Sequence, residues 1–362
     1  METQTSDDSP SPAEYPRWVL LDRSGKHKDH DDANTVAAAL ISSGHLIRVS
    51  FRLIAPPAVS RVRLEHPGLP DGVGIDLRIM ANHRDSVLMK VDTVYDDWCR
   101  NVTDYFVYIA GNGAATAEAS LQQSFSLLPP CYLNKREEDE DTDHKTQRHM
   151  DFRSTVILSR GKEIPLAEGL SYWDEIDMVI PVGDRFRYWV NLLRGIIFTD
   201  VLEKDPVLRY VSLPLNPLLR RRYNSEARPG MYQMVCATGG GSMVKFVDVA
   251  PRCCCGGPGT TSCARSRNAF TITTWTLRMD DMTWEKDGVL DCDELWALRG
   301  YQGLPRVRPS HPVVNLEDSD VICFVVDKNC YMCDVDGEDA TWVIEVDTRS
   351  KKIRSVRYDQ IH

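Results

Sequence analysis

Four apolar runs, "IDMVIPV", "YWVNLL", "GIIFTDV" and "LRYVSLP", follow one another between Ile176 and Pro214 with only a few residues between them. This spacing is the strongest constraint on the fold. Parallel strands need a crossover of about a dozen residues or more, so runs this close can pair only as antiparallel neighbours. The same rhythm returns in "MYQMVCA" and "SMVKFVDVA", and again in "DVICFVV", "TWVIEVD" and "KKIRSVRYD". Towards the N-terminus "PRWVLLD", "HLIRVSFRLI", "DSVLMKV" and "DYFVYIA" read as strands, as does "STVILSR" later on. The expectation is a mainly β, antiparallel body over residues 16–362 with few short helices.

Two segments share a hairpin logic. In "YWVNLLRGIIFTDV" Trp189 leads a strand that turns at Arg194 and Gly195, where glycine tolerates a backbone that other residues resist. In "TWVIEVDTRSKKIRSVRYD" Trp342 leads, Asp347 closes the strand, and Ile353 and Val356 return. Both tryptophans are expected at least partly buried at the starts of hairpin strands. Such units are expected to build a β-propeller-like body; the alternative is a pair of β-sandwiches, which also consists of short strands and frequent turns.

Helical signals are few. "ANTVAAALISSG" has helical composition and a stop at Gly44, although its alanines also suit a loop; "DCDELWALRG", Asp291 to Gly300, reads as a brief helix. Residues 1–15 are polar, acidic and rich in Pro and Ser, and are read as a disordered tail. The tract at about 134–149, with "EEDEDTD" at Glu137 to Asp143, crowds like charges and reads as a mobile surface loop.

The composition narrows the function classes. There are 53 acidic and 43 basic residues, a formal charge of −10, which disfavours broad attraction to nucleic acid or anionic membranes. The Arg220, Arg221 and Arg222 cluster reads as a solvated turn. No apolar run reaches the roughly 20 residues of a membrane span, and the N-terminal segment has no signal-peptide pattern, so an intracellular location, cytoplasmic and/or nuclear, is expected. The 11 cysteines are odd in number and scattered, and are read as thiols without an essential disulfide.

The segments "PRWVLLDR", "IRVSFRLIAPPAVSRVRL", "DYFVYIAG", "YWVNLLRGIIFTDVLEKDPVLRYVSLPLNP" and "DELWAL…LPRVRPSHPVVNLEDSDVICFVV" occur in the order found in the plant family called domain of unknown function 1618, abundant in grasses, which this chain resembles over most of residues 16–358. The aromatic-led hairpins also resemble blades of F-box-associated and kelch-type propellers. The resemblance implies a fold and brings no catalytic motif with it. Similar plant proteins sometimes carry F-box segments, and no F-box pattern precedes Pro16.

Few constellations point to chemistry. Cys253, Cys254, Cys255 and Cys263 cluster in a Gly/Pro-rich stretch, and Cys330 and Cys333 form one CxxC; a zinc site would need these two distant loops to meet, so exposed or core thiols are expected instead. "ATGGGSM", Ala237 to Met243, could present amides to phosphate, but without the P-loop lysine it reads as a β-turn. His27 and His30 share a polar loop with Asp29, Asp31 and Asp32, read as solvated. No catalytic, cofactor-binding or metal-ligating residue is assigned, and no cofactor is expected. The function expected is a non-enzymatic interaction or scaffold module for a protein partner; the alternatives are a ligand-binding or hydrolytic enzyme whose site assembles only on folding, and a cysteine-bound zinc module.

Overall fold

Alternating buried and exposed positions on Leu46–Arg52 and Val59–Glu65 show how this chain makes sheet: every second side chain turns inward, and the inward set is apolar. The computed structural model describes residues 16–26, 35–70, 72–95, 101–111, 123–130, 150, 176–215, 229–253, 268–327 and 340–360. The polar tail, the acidic tract, "STVILSR", the Arg220–Arg222 cluster, the His27–Asp32 loop, and Cys254, Cys255, Cys263, Cys330 and Cys333 lie outside the described residues.

Among the described residues twenty strands group into five four-stranded units. The first holds β1 (Leu20–Lys26), β2 (Ala37–Leu40), β3 (Leu46–Arg52) and β4 (Val59–Glu65) in the order β2-β3-β4-β1. The second runs β5 (Gly74–His83), β6 (Ser86–Val94), β7 (Asn101–Ile109) and β8 (Ser124–Leu127). One bridge, Ser24 to Arg78, links β1 to β5 and joins these two units into an eight-stranded sheet.

Three simple meanders follow. The third unit is β9 (Met178–Val182), β10 (Phe186–Asn191), β11 (Gly195–Asp200) and β12 (Arg209–Ser212). The fourth is β13 (Gln233–Thr238), β14 (Met243–Pro251), β15 (Phe270–Arg278) and β16 (Thr283–Asp291). The fifth is β17 (Ser310–Val314), β18 (Val321–Asp327), β19 (Ala340–Asp347) and β20 (Lys352–Gln360).

The units pack face to face. Phe51, Val62, Leu77, Phe106 and Tyr108 form one core between the first and second, with the Phe51 and Tyr108 rings 4.7 Å apart. Tyr188, Phe198, Val244 and Phe246 fill the space between the third and fourth. Val247, Phe270, Phe324 and Ile344 fill that between the fourth and fifth, capped by Leu295 of the helix α1 (Cys292–Ala297). First strands meet: β13 touches both β9 and β17. The fifth unit returns to the first, where Arg17 reaches Glu317 at 3.2 Å and Arg52, Val343 and Tyr358 share a cavity wall. Successive sheets packed by their faces, with first strands inward, make the body propeller-like and mainly antiparallel.

Two details depart from expectation. The alanine-rich stretch forms strand β2 rather than a helix: Ala37 to Leu40 pair with Val49 to Leu46, and Ala37 packs in the first core while Leu40 faces out. Pairing with an adjacent strand outweighs the few tenths of a kcal/mol per residue by which alanine favours helix. Strand β1 pairs with β4 in parallel, the one parallel pair among the described strands. The helix expected at Asp291 to Gly300 is α1, with Asp291 and Glu294 forming a capping box.

The third unit shows why glycine sits in the hairpin. Gly195 opens β11, and a Cβ there would lie 2.4 Å from the Val211 carbonyl oxygen, so β12 can pair only against a residue with no side chain. All six residues of β11 are buried. Trp189 and Trp342 are half-buried, as expected, but stand within their strands rather than at the first position; Trp342 packs edge-on to Tyr358 at 5.7 Å.

Candidate functional site at the axial cleft

Because first strands turn inward, their ends come together, and a cavity of about 420 Å³ opens where they do. Every unit contributes: Arg23 from β1, Met80 to His83 from β5 with Arg84 after it, Met178 to Pro181 from β9, Ala237 and the Gly240–Gly241 turn after β13, and Leu316 after β17. A second cavity of about 520 Å³ continues along β5 and β6 and shares Arg23 and Met80 with the first. Its lining mixes apolar side chains, among them Met80, Val179, Ile180 and the exposed Leu316, with the polar Arg23, Asn82, His83 and Arg84. Such a combination suits recognition of an amphipathic group.

The glycine run fits here by backbone geometry. Gly239, Gly240 and Gly241 all have positive φ, and a Cβ on Gly241 would come within 3.5 Å of the Gly183 nitrogen in the neighbouring turn. The Gly240 amide donates to the Leu316 carbonyl at 3.1 Å and the Gly241 amide to the Thr238 carbonyl at 3.1 Å. Thr238 Oγ1 donates to the Asn315 carbonyl at 2.7 Å. The Gly240 amide and the Thr238 hydroxyl hold the fourth unit's turn to the fifth unit, and the Gly241 amide closes the turn itself, so "ATGGGSM" is the β-turn expected from its sequence.

Charge gathers between the second and third units. Arg84 donates to Asp184 Oδ2 at 2.5 Å, and His83 Nε2 lies 3.4 Å from Asp184 Oδ1. Arg187 is 1% exposed and donates to the carbonyls of Phe186 at 2.7 Å and Gly183 at 3.3 Å. Burial lowers the His83 pKa below the ordinary histidine value; the hydrogen bond to Asp184 opposes this, while Arg187 and Arg84 add to it. Burial also lowers the Arg187 pKa, against the pull of Asp184. Arg23 and the Arg84–Asp184 ion pair thus stand beside a histidine disposed to stay neutral. Among the described residues the lining of the 420 Å³ cavity contains no Ser, Thr, Cys, Asp or Glu, so it offers no carboxylate ligand and its nucleophilic side chain is the His83 imidazole.

Elsewhere, Asp291, Cys292 and Asp293 bring three possible ligand atoms within 4.8 Å of one another at the start of α1. Their charge is already engaged: Arg252 pairs with Asp291 at 2.9 Å and Asp293 at 3.2 Å, and Asp291 caps the helix. Among the described residues Cys236, Cys292 and Cys323 are free thiols. The cleft residues Arg23, His83, Ile180, Gly240 and Leu316 were not singled out by their types or spacing, apart from the glycine, because each is supplied by a different unit.

The family model described as protein of unknown function (DUF1618) matches residues 189–323, from the third unit into the fifth. Among solved structures the chain is similar to the crystal structure of the WD40 domain of SCAP from fission yeast, with 11% identity over 94% of this chain and 64% of that one, at a TM-score of 0.21. It is also similar to the tail fibre of Staphylococcus aureus phage P68, with 9% identity over 91% of this chain and 73% of that one, at a TM-score of 0.14. No curated protein matches the chain.

Proposed function

We propose that the chain is a non-enzymatic interaction module that works inside the cell, in cytoplasm or nucleus, and holds an acidic, apolar-flanked segment of a protein partner in the axial cleft. We also extend the family reading from residues 189–323 to the whole body over residues 16–358, as a plant scaffold akin to F-box-associated propellers. One observation carries the proposal: five four-stranded units converge on a cleft lined by Met80, Val179 and Ile180 together with Arg23 and Arg84, and among the described residues by no Ser, Thr, Cys, Asp or Glu. A rigid scaffold that gathers loops and strand ends in this way is suited to recognition, and the formal charge of −10 disfavours nucleic acid as the partner.

The test is peptide display against the immobilised full chain. Enriched peptides should carry Asp or Glu beside Leu, Met or Phe, and their binding should be lost in R84E and L316D but kept in L202S, whose side chain is 61% exposed and away from the cleft lining. Binders indifferent to R84E and L316D would overturn the assignment.

A further inference from the structure

Arg84 and Asp184 stand 100 positions apart and tie the β5–β6 turn of the second unit to the β9–β10 turn of the third. Several other ion pairs on this surface are local: Arg63 with Glu65, Arg78 with Asp76, Lys90 with Asp92 and Arg278 with Asp280. The Arg84 pair is also placed differently with respect to the cleft. Arg84 and its neighbour His83 line the 420 Å³ cavity, whereas Asp184 lies outside that lining.

One carboxylate serves both cleft side chains. Asp184 Oδ2 accepts from Arg84 at 2.5 Å, and Asp184 Oδ1 lies 3.4 Å from His83 Nε2. Arg84 and His83 thus converge on a single carboxylate, which is the group an acidic ligand would bring. The Arg84 and Asp184 side chains are 64% and 51% exposed, and an ion pair so open to water contributes little to stability. Its release therefore costs little. A guanidinium has five N–H donors, so a second carboxylate could also join without displacing the first, but two carboxylates crowded at one guanidinium repel each other. By either route Asp184 works against an acidic ligand.

We propose that Asp184 is a built-in competitor for the cleft: its carboxylate holds the Arg84 and His83 donors that an acidic partner segment takes over on binding. The proposal rests on the reading of the cleft as the site of an acidic, apolar-flanked segment, and it deepens that reading. Asp184 sets how much negative charge a segment must carry before it is held.

The probe is a fluorescein-labelled peptide, Gly-Leu-Glu-Glu-Met-Gly, with Gly-Leu-Gln-Gln-Met-Gly as its neutral counterpart, each titrated with the full chain and followed by anisotropy. D184N should tighten binding of the acidic peptide by about two- to fivefold, the value of an exposed ion pair expressed as affinity. It should leave the neutral peptide unaffected and lower the melting temperature slightly. A merely structural role would lower the melting temperature without tightening the peptide, so the opposite signs identify competition. D85N removes a charge from the same turn, where Asp85 accepts from Ser86, and should give no such gain. In an R84Q background the gain from D184N should shrink, because the main donor it releases is gone. Equal or weaker binding of the acidic peptide by D184N, or the same gain from D85N, would overturn the inference and leave the cleft reading standing. Binding of the acidic peptide by neither the unaltered chain nor D184N would overturn both.

Discussion

Lys245 on β14 points its Nζ to 3.3 Å from Asp320 Oδ1 in the turn before β18, and its side chain is only 2% exposed. The same ammonium donates to the Ser319 carbonyl and lies 3.7 Å from Asp287, while Arg349 reaches the other Asp320 oxygen at 2.7 Å. A buried cation satisfied on three sides thus fastens the fourth unit to the fifth beside their apolar core.

Replacing Lys245 by methionine keeps most of the volume and removes the charge. Asp320 keeps Arg349 and both carboxylates are about a fifth exposed, so the cost is that of the lost charge-assisted hydrogen bonds, about 1–3 kcal/mol. The urea midpoint of K245M should fall accordingly, and a midpoint within error of the unaltered chain would show that the tie is energetically idle.

At Gly195 a methyl group has nowhere to go, because the atom it meets, at 2.4 Å, is the Val211 backbone oxygen. G195A should therefore cost about 3 kcal/mol through displacement of β12. G240A is the control: open space surrounds its Cβ and only the positive φ is penalised, at about 1 kcal/mol. Melting curves of the two variants should rank in that order.

Stability should respond to pH through His83 and His311, whose pKa values are both lowered in the fold, in each case chiefly by burial. A depressed histidine pKa means that the unfolded chain takes up the proton first. The contribution of each group is unchanged above about pH 6.5, the unfolded value, and stability is lost as pH falls from there towards the folded value. Urea midpoints should drop between pH 7.5 and 5.5, and H83Q/H311Q should flatten that part of the profile.

Burial pushes the Cys323 thiol up to about 12, with Glu345 adding to the effect. Thiolate is the reactive form, so Cys323 should resist iodoacetamide at pH 8 in the folded chain and react on unfolding in urea. Site-by-site mass spectrometry checks this, with half-buried Cys253 as a faster native reference.

The strands were legible wherever apolar side chains alternate or crowd between turn residues, and the β10–β11 hairpin could be read down to its glycine. Strand β2 was not, because four residues of mostly alanine carry helical composition and become strand only by pairing with β3. The parallel β1–β4 pair left no trace either: Leu20 and Val59 are brought together by the sheet and not by spacing. The cleft was least legible of all. Its residues run from Arg23 to Leu316, each ordinary in its own segment, and only convergence of the first strands gives them a common surface.

The contact between Arg17 and Glu317 spans 300 positions of the chain. During synthesis, at about 5–20 residues per second, the first unit leaves the ribosome long before its far neighbour exists. Successive units can dock in order as they emerge, but the face of the first that carries Arg52 and Arg61 must wait in water for β19 and β20. Arginine on that waiting face, Arg52 among them, gives it a charged, hydrated surface in the interval before β19 and β20 arrive, the kind of side chain that disfavours pairing with another chain.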